Sequence, residues 1–148
     1  MSKKQWIITA AIVLAIVAAL SGYYIPRSVD RALGLPEDKT IHIGGHVSKS
    51  ADSIMSYKTE DAEEMETFLA ALQTLQMRYI NRKNIYEVGK VSADVFVHYE
   101  NGSDCHFFIS DNGAVRWNDK NYRCNDPAAL QDLLTQIESW ELYHESTP

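Results

Sequence analysis

From Trp6 to Leu20 the chain carries no charged side chain, and Thr9 is the only polar one. Ser21, Gly22, Tyr23, Tyr24 and Ile25 extend the uncharged run over residues 6–25. That length is about the ~20 residues that cross ~30 Å of hydrocarbon as a helix. A run without a polar face is not the surface helix of a globular domain. Lys3 and Lys4 precede it, and no acid appears before Asp30. Positive charge resists translocation, so the expected topology is single-pass, with the N-terminus cytoplasmic and the rest outside the cell membrane. Trp6 and the Tyr23–Tyr24 pair suit the two interfaces, and Pro26 with Arg27 ends the helix. The alternative is a cleaved signal peptide, because Ala19-Leu20-Ser21 has the small-residue spacing for cleavage near Gly22, which would give a secreted domain.

Residues 26–39 hold Pro, Gly and mixed charge and read as a spacer. Thr40-Ile-His-Ile43 alternates in the strand period, and Gly44-Gly45 is expected to break it. Ser53–Lys58 is a second short extended piece, with Ile54 and Tyr57 as its apolar anchors. Asp61 with Glu64 is a plausible cap pair, and acids crowd the first turn after it, where the helix dipole favours them. Met65, Phe68, Leu69, Leu72, Leu75 and Tyr79 make one apolar stripe at helical spacing. Arg78, Arg82 and Lys83 are expected to close that helix.

From Ile85 to Cys124 the period changes to two. Ile85–Val88 is a candidate strand. Val95–Tyr99 and Cys105–Ile109 flank Asn101-Gly102, a strong turn signal. Asp111-Asn112-Gly113 is another, and Asp119-Lys120 separates Ala114–Trp117 from Tyr122–Cys124. A three-residue loop, Asn101-Gly102-Ser103, would set Tyr99 opposite Cys105, Val97 opposite Phe107 and Val95 opposite Ile109. These six side chains then form one apolar face, joined by Val115, Trp117, Tyr122 and Cys124. A one-residue slip would mix the faces. Asp126 and Pro127 open a last helix, whose buried stripe is Leu130, Leu133, Leu134, Ile137 and Trp140.

The expected fold is therefore α+β: an antiparallel β-meander with two amphipathic helices packed on one face, preceded by one N-terminal transmembrane helix. The divisions are an anchor over 1–25, a spacer over 26–39, a domain over 40–143 and a tail over 144–148.

Composition narrows the partners. The formal net charge is −6, and removing residues 1–25 takes two lysines and no acid, leaving −8. Such a domain repels phosphate backbones, which excludes nucleic acid as the expected partner. Two cysteines in an exported domain favour a disulfide by compartment. The register opposes one, because it sets Cys105 and Cys124 further apart than the ~7 Å Cα limit of a bridge. The sequence holds no G-x-S-x-G, H-E-x-x-H, P-loop or dinucleotide fingerprint, and nothing in it sets a nucleophile beside a base. No catalytic residue, cofactor or metal is expected, and the chain reads as a non-enzyme.

The same register creates a second face. Phe96 sits opposite Phe108, His98 opposite His106, and Arg116 beside Phe108. Aromatic rings on a solvated face mark either a binding surface or a site covered by the spacer or by the 41–47 strand. Phe96, His98, His106, Phe108 and Arg116 are the candidate partner-binding surface. Two histidines without a third ligand are a weak metal signal, and His42 with His46 weaker still.

Thr40-Ile-His-Ile, Tyr57-Lys-Thr-Glu-Asp-Ala, Phe68-Leu-Ala-Ala-Leu, Val95-Phe-Val-His-Tyr-Glu-Asn-Gly, Cys105-His-Phe-Phe-Ile-Ser and Asn118-Asp-Lys-Asn-Tyr122 together resemble the small uncharacterised envelope domains of Gram-positive bacteria. The resemblance covers about residues 40–125. It implies location and fold, and carries no catalytic residues. Those domains usually follow a lipid-modified cysteine, which this chain lacks there. The expected function is a membrane-anchored extracytoplasmic binding or regulatory domain, touching the membrane through residues 6–25 and another envelope protein through its surface. The alternatives are a structural or assembly subunit of an envelope complex, and a secreted hydrolase or metal-dependent enzyme.

Overall fold

The computed structural model describes residues 3–28, 33, 35–36, 38–50, 53–80 and 89–143. The apolar N-terminal run is helical: α1 spans Lys3–Tyr24. Its side chains are described over residues 5–21, and nearly all are exposed. Among the described residues no helix is long and apolar enough to cross a membrane.

The rest is α+β. Among the described residues nine strands form one sheet: β1 (Arg27–Ser28), β2 (Thr40–Ser50), β3 (Ser53–Thr59), β4 (Gln76–Ile80), β5 (Ser92–Tyr99), β6 (Asp104–Ser110), β7 (Ala114–Trp117), β8 (Lys120–Cys124) and β9 (Glu141–Leu142). Their order is β1-β4-β8-β7-β6-β5-β2-β3-β9, and every pairing is antiparallel. β5 to β8 are the expected meander. Helices α2 (Ala62–Thr74) and α3 (Pro127–Ser139) cover its inner face, where Phe68, Leu72, Leu130, Leu134 and Ile137 meet Ile43, Val95, Phe107 and Val115 in one buried cluster.

Local chemistry explains the helix starts. The Asp61 carboxylate accepts from the N–H groups of Glu63 and Glu64, both at 3.0 Å. Glu64 does not close a reciprocal box; its carboxylate accepts from the Thr59 hydroxyl, whose oxygen accepts from Asp61 N–H. Asp126 caps α3 through Ala129 N–H, with Pro127 in the first turn.

Several expectations need correction. α2 stops at Thr74, with Leu75 extended as its cap, and Gln76–Ile80 is a strand. Leu75 and Tyr79 fit a helical stripe continued from Leu72, while Leu75, Met77 and Tyr79 fit a two-residue alternation, and pairing with β8 selects the strand. β2 runs through Gly44-Gly45 without a break. Gly45 is there for packing: a Cβ on it would meet Ile137 Cγ2 at 2.6 Å. The β5–β6 loop is Glu100-Asn101-Gly102, closed by Tyr99 N–H to Ser103 O with Gly102 at φ +80°, so Val97 faces Cys105 and Val95 faces Phe107. That two-residue slip leaves both faces as expected while changing every pair. The β7–β8 turn is Asn118-Asp119, both at positive φ, and Lys120 belongs to β8. Ile54 is exposed rather than an anchor.

The spacer is partly integral. Arg27–Ser28 adds an edge strand to β4, and Leu33 is fully buried in the core. Cys105 and Cys124 are free thiols, both buried. The candidate strand 85–88 and the tail from His144 lie outside the described residues.

Candidate functional site

Alternation along the three central strands builds the outer face. Ile43, Gly45 and Val47 of β2 point inward, as do Val95, Val97 and Tyr99 of β5, and Cys105, Phe107 and Ile109 of β6. Their neighbours His42, Gly44, His46, Asp94, Phe96, His98, Asp104, His106 and Phe108 therefore point outward. Register arranges these in rows. His42 pairs His98, which pairs Asp104. Gly44 pairs Phe96, which pairs His106. His46 pairs Asp94, which pairs Phe108, and Phe108 pairs Arg116.

All five expected surface residues thus share this face, with Arg116 beside Phe108 as expected and the β5–β6 partnerships changed. Phe96 opposes His106 instead of Phe108, and His98 opposes Asp104 instead of His106. β2 lies beside β5 rather than over it, so it contributes side chains to the patch and does not cover it. The rings are in contact. Phe96 and His106 stack with centroids 4.4 Å apart and planes 3° from parallel. His42 and His98 stack at 4.1 Å, and His46 meets the Phe96 ring edge-on at 5.2 Å. Arg116 lies over Phe108 at 5.6 Å. Four of the chain's five histidines occupy this one surface.

Sequence reasoning weighed His42 and His46 only as a weak metal pair and left them, with Gly44, off this surface because the glycine pair was read as a break. The signal was available: residues i and i+4 share a face in a strand as well as in a helix. Gly44 leaves a notch opposite Phe96, part of a groove of about 410 Å³ that also meets Ser56, Lys58 and Tyr143.

Charge is mixed around the groove. His106 Nε2 lies 3.3 Å from Asp94 Oδ1, and Lys58 pairs Glu60 at 3.4 Å while facing the Tyr143 ring. The pKa of His42 is lowered, first by burial, then by the neighbouring His98, with Glu60 opposing. No group of three or more metal-ligating side chains is present among the described residues. One nucleophile does stand beside a base: His46 Nδ1 is 2.8 Å from Ser56 Oγ. The carboxylate that pairs across from His46, Asp94, is engaged by His106 instead of orienting His46.

Comparison with family models, with curated proteins and with solved structures gives no match.

Proposed function

We propose that this protein is a membrane-anchored, extracytoplasmic binding domain that recognises a partner through the outer face of its sheet and performs no catalysis. The observation that carries the reading is the Phe96–His106 stack with the His42–His98 stack beside it, open to solvent on a sheet whose other face holds the core. Stacked rings with polar rims supply contact area at low cost in side-chain freedom, as in binding-site hot spots. The anchor part rests on the uncharged run 6–25 and the lysines before it. The resemblance to Gram-positive envelope domains supports the same location.

The test is affinity recovery of an envelope partner with the full chain carrying Phe96→Ala and Phe108→Ala. Both side chains are half-exposed, so the fold should survive, which circular dichroism checks. Loss of a partner recovered by the wild type is the expected result. Undiminished recovery would remove this face from the reading.

The Ser56–His46 contact favours a second reading, a hydrolase. Covalent catalysis of that kind needs a third group orienting the base and donors for an oxyanion. Labelling by a fluorophosphonate that is lost in Ser56→Ala would establish it.

A further inference from the structure

The inner face carries a second surface, at the end of the sheet where α1 enters. Helical hydrogen bonding continues to Ile25, whose N–H donates to Ser21 O at 2.9 Å. Only Pro26 then separates the helix from Arg27, which is already paired with Met77 of β4. Two residues reach at most about 7 Å, so the β1–β4 edge is held within that distance of the helix end.

A groove of about 160 Å³ opens at this edge. Its walls are Ile25, Arg27, Tyr79, Trp117, Lys120 and Tyr122. Tyr79 and Tyr122 meet edge-to-face at 5.9 Å, and Trp117 and Lys120 close the β7–β8 turn as its flanking pair. Three amphipathic aromatics and two cations are the side chains that favour the zone between hydrocarbon and water, with ring bodies toward the acyl chains and polar ends toward the headgroups. The headgroup zone on each side of a bilayer is roughly 6 Å deep. That matches the reach of the Ile25–Arg27 link.

We infer that this groove docks on the phospholipid headgroup layer of the membrane that α1 enters, with Tyr79, Trp117 and Tyr122 at the level of the lipid carbonyls and Arg27 and Lys120 on lipid phosphates. The inference rests on the membrane anchor proposed above. It adds a posture for the domain, whose edge lies on the bilayer instead of swinging on a free linker. The domain's acidic net charge opposes a general electrostatic attraction to anionic lipid, so this contact depends on the local pair of cations and on aromatic insertion.

The tryptophans provide the test, because Trp6 lies on α1, Trp117 in the groove and Trp140 is buried. The full chain is reconstituted into phosphatidylcholine vesicles containing some phosphatidylglycerol. Part of the phosphatidylcholine is brominated, either near the carbonyl or near the chain end. Trp6→Phe and Trp117→Phe assign the quenched emission to one residue or the other. Quenching of both, with Trp117 favouring the carbonyl-proximal bromines, is the expected result. Arg27→Gln with Lys120→Gln should then reduce the Trp117 component, through a roughly five-fold fall in the docking equilibrium constant per cation. Quenched Trp6 with unquenched Trp117 would leave the anchor standing and overturn the docked posture. Unquenched Trp6 would overturn the anchor, and the posture with it.

Discussion

Gly45 and Ile137 are packed so closely that a single methyl group on the glycine would stand 2.6 Å from the isoleucine Cγ2. Helix α3 crosses β2 at this point, and Gly45 lets it approach. Gly45→Ala should destabilise the domain by about 1–3 kcal/mol, the usual cost of overpacking. A urea midpoint lowered with unchanged slope is the expected observation. Gly44→Ala is the control, since its nearest neighbour would be Tyr57 O at an ordinary 3.6 Å.

Leu33 is fully buried although it lies in the segment between β1 and β2. Leu33→Ala should cost about 2–5 kcal/mol, as for other fully buried leucines. A chain trimmed to residues 40–143 should lose a comparable amount, measured by chemical denaturation.

The His42–His98 stack makes stability pH-dependent in a definite direction. Burial, then His98, lowers the pKa of His42 below that of the unfolded chain. Above the unfolded value near 6.5 the two states bind equal numbers of protons at this site, and it contributes no pH dependence. As pH falls from 6.5 through the lowered folded value, the unfolded chain takes up the proton first and stability is lost. His98→Asn removes one of the causes, so His42 should titrate at higher pH and this part of the acid sensitivity should shrink. Imidazole proton shifts followed through the titration measure both effects.

Burial, and after it the Asp104 carboxylate, pushes the Cys105 thiol up to about 11, and burial also raises Cys124. The thiolate is the reactive form, so both should resist alkylation at pH 8 in the native protein. In denaturant without reductant the intact mass should show two added alkyl groups. A protein that takes none after unfolding would hold a disulfide and contradict the free thiols.

The two faces of the meander were legible in the sequence because side-chain alternation depends only on parity. The partners across each strand pair were not. Moving the loop from Asn101-Gly102-Ser103 to Glu100-Asn101-Gly102 shifts the register by two, which keeps Tyr99 buried and exchanges Phe108 for His106 opposite Phe96. Gly102 at positive φ marks the third loop position, where a type I turn closes with a glycine bulge. The end of α2 was illegible for another reason. No glycine or proline follows Thr74, and Leu75 and Tyr79 satisfy both periods until β8 is placed beside them. His42 and His46 were hidden by reading glycine as punctuation where it serves close approach of α3. Ser56 beside His46 depends on β2–β3 register, which no local signal specifies.

Strand order also acts as a ruler. Counting from the edge strand β1, His106 lies four strands along the sheet and His42 six. At about 4.8 Å per strand those steps place the imidazoles roughly 20–30 Å from that edge. The histidine patch and the β1 edge are therefore too far apart for one small ligand to touch both.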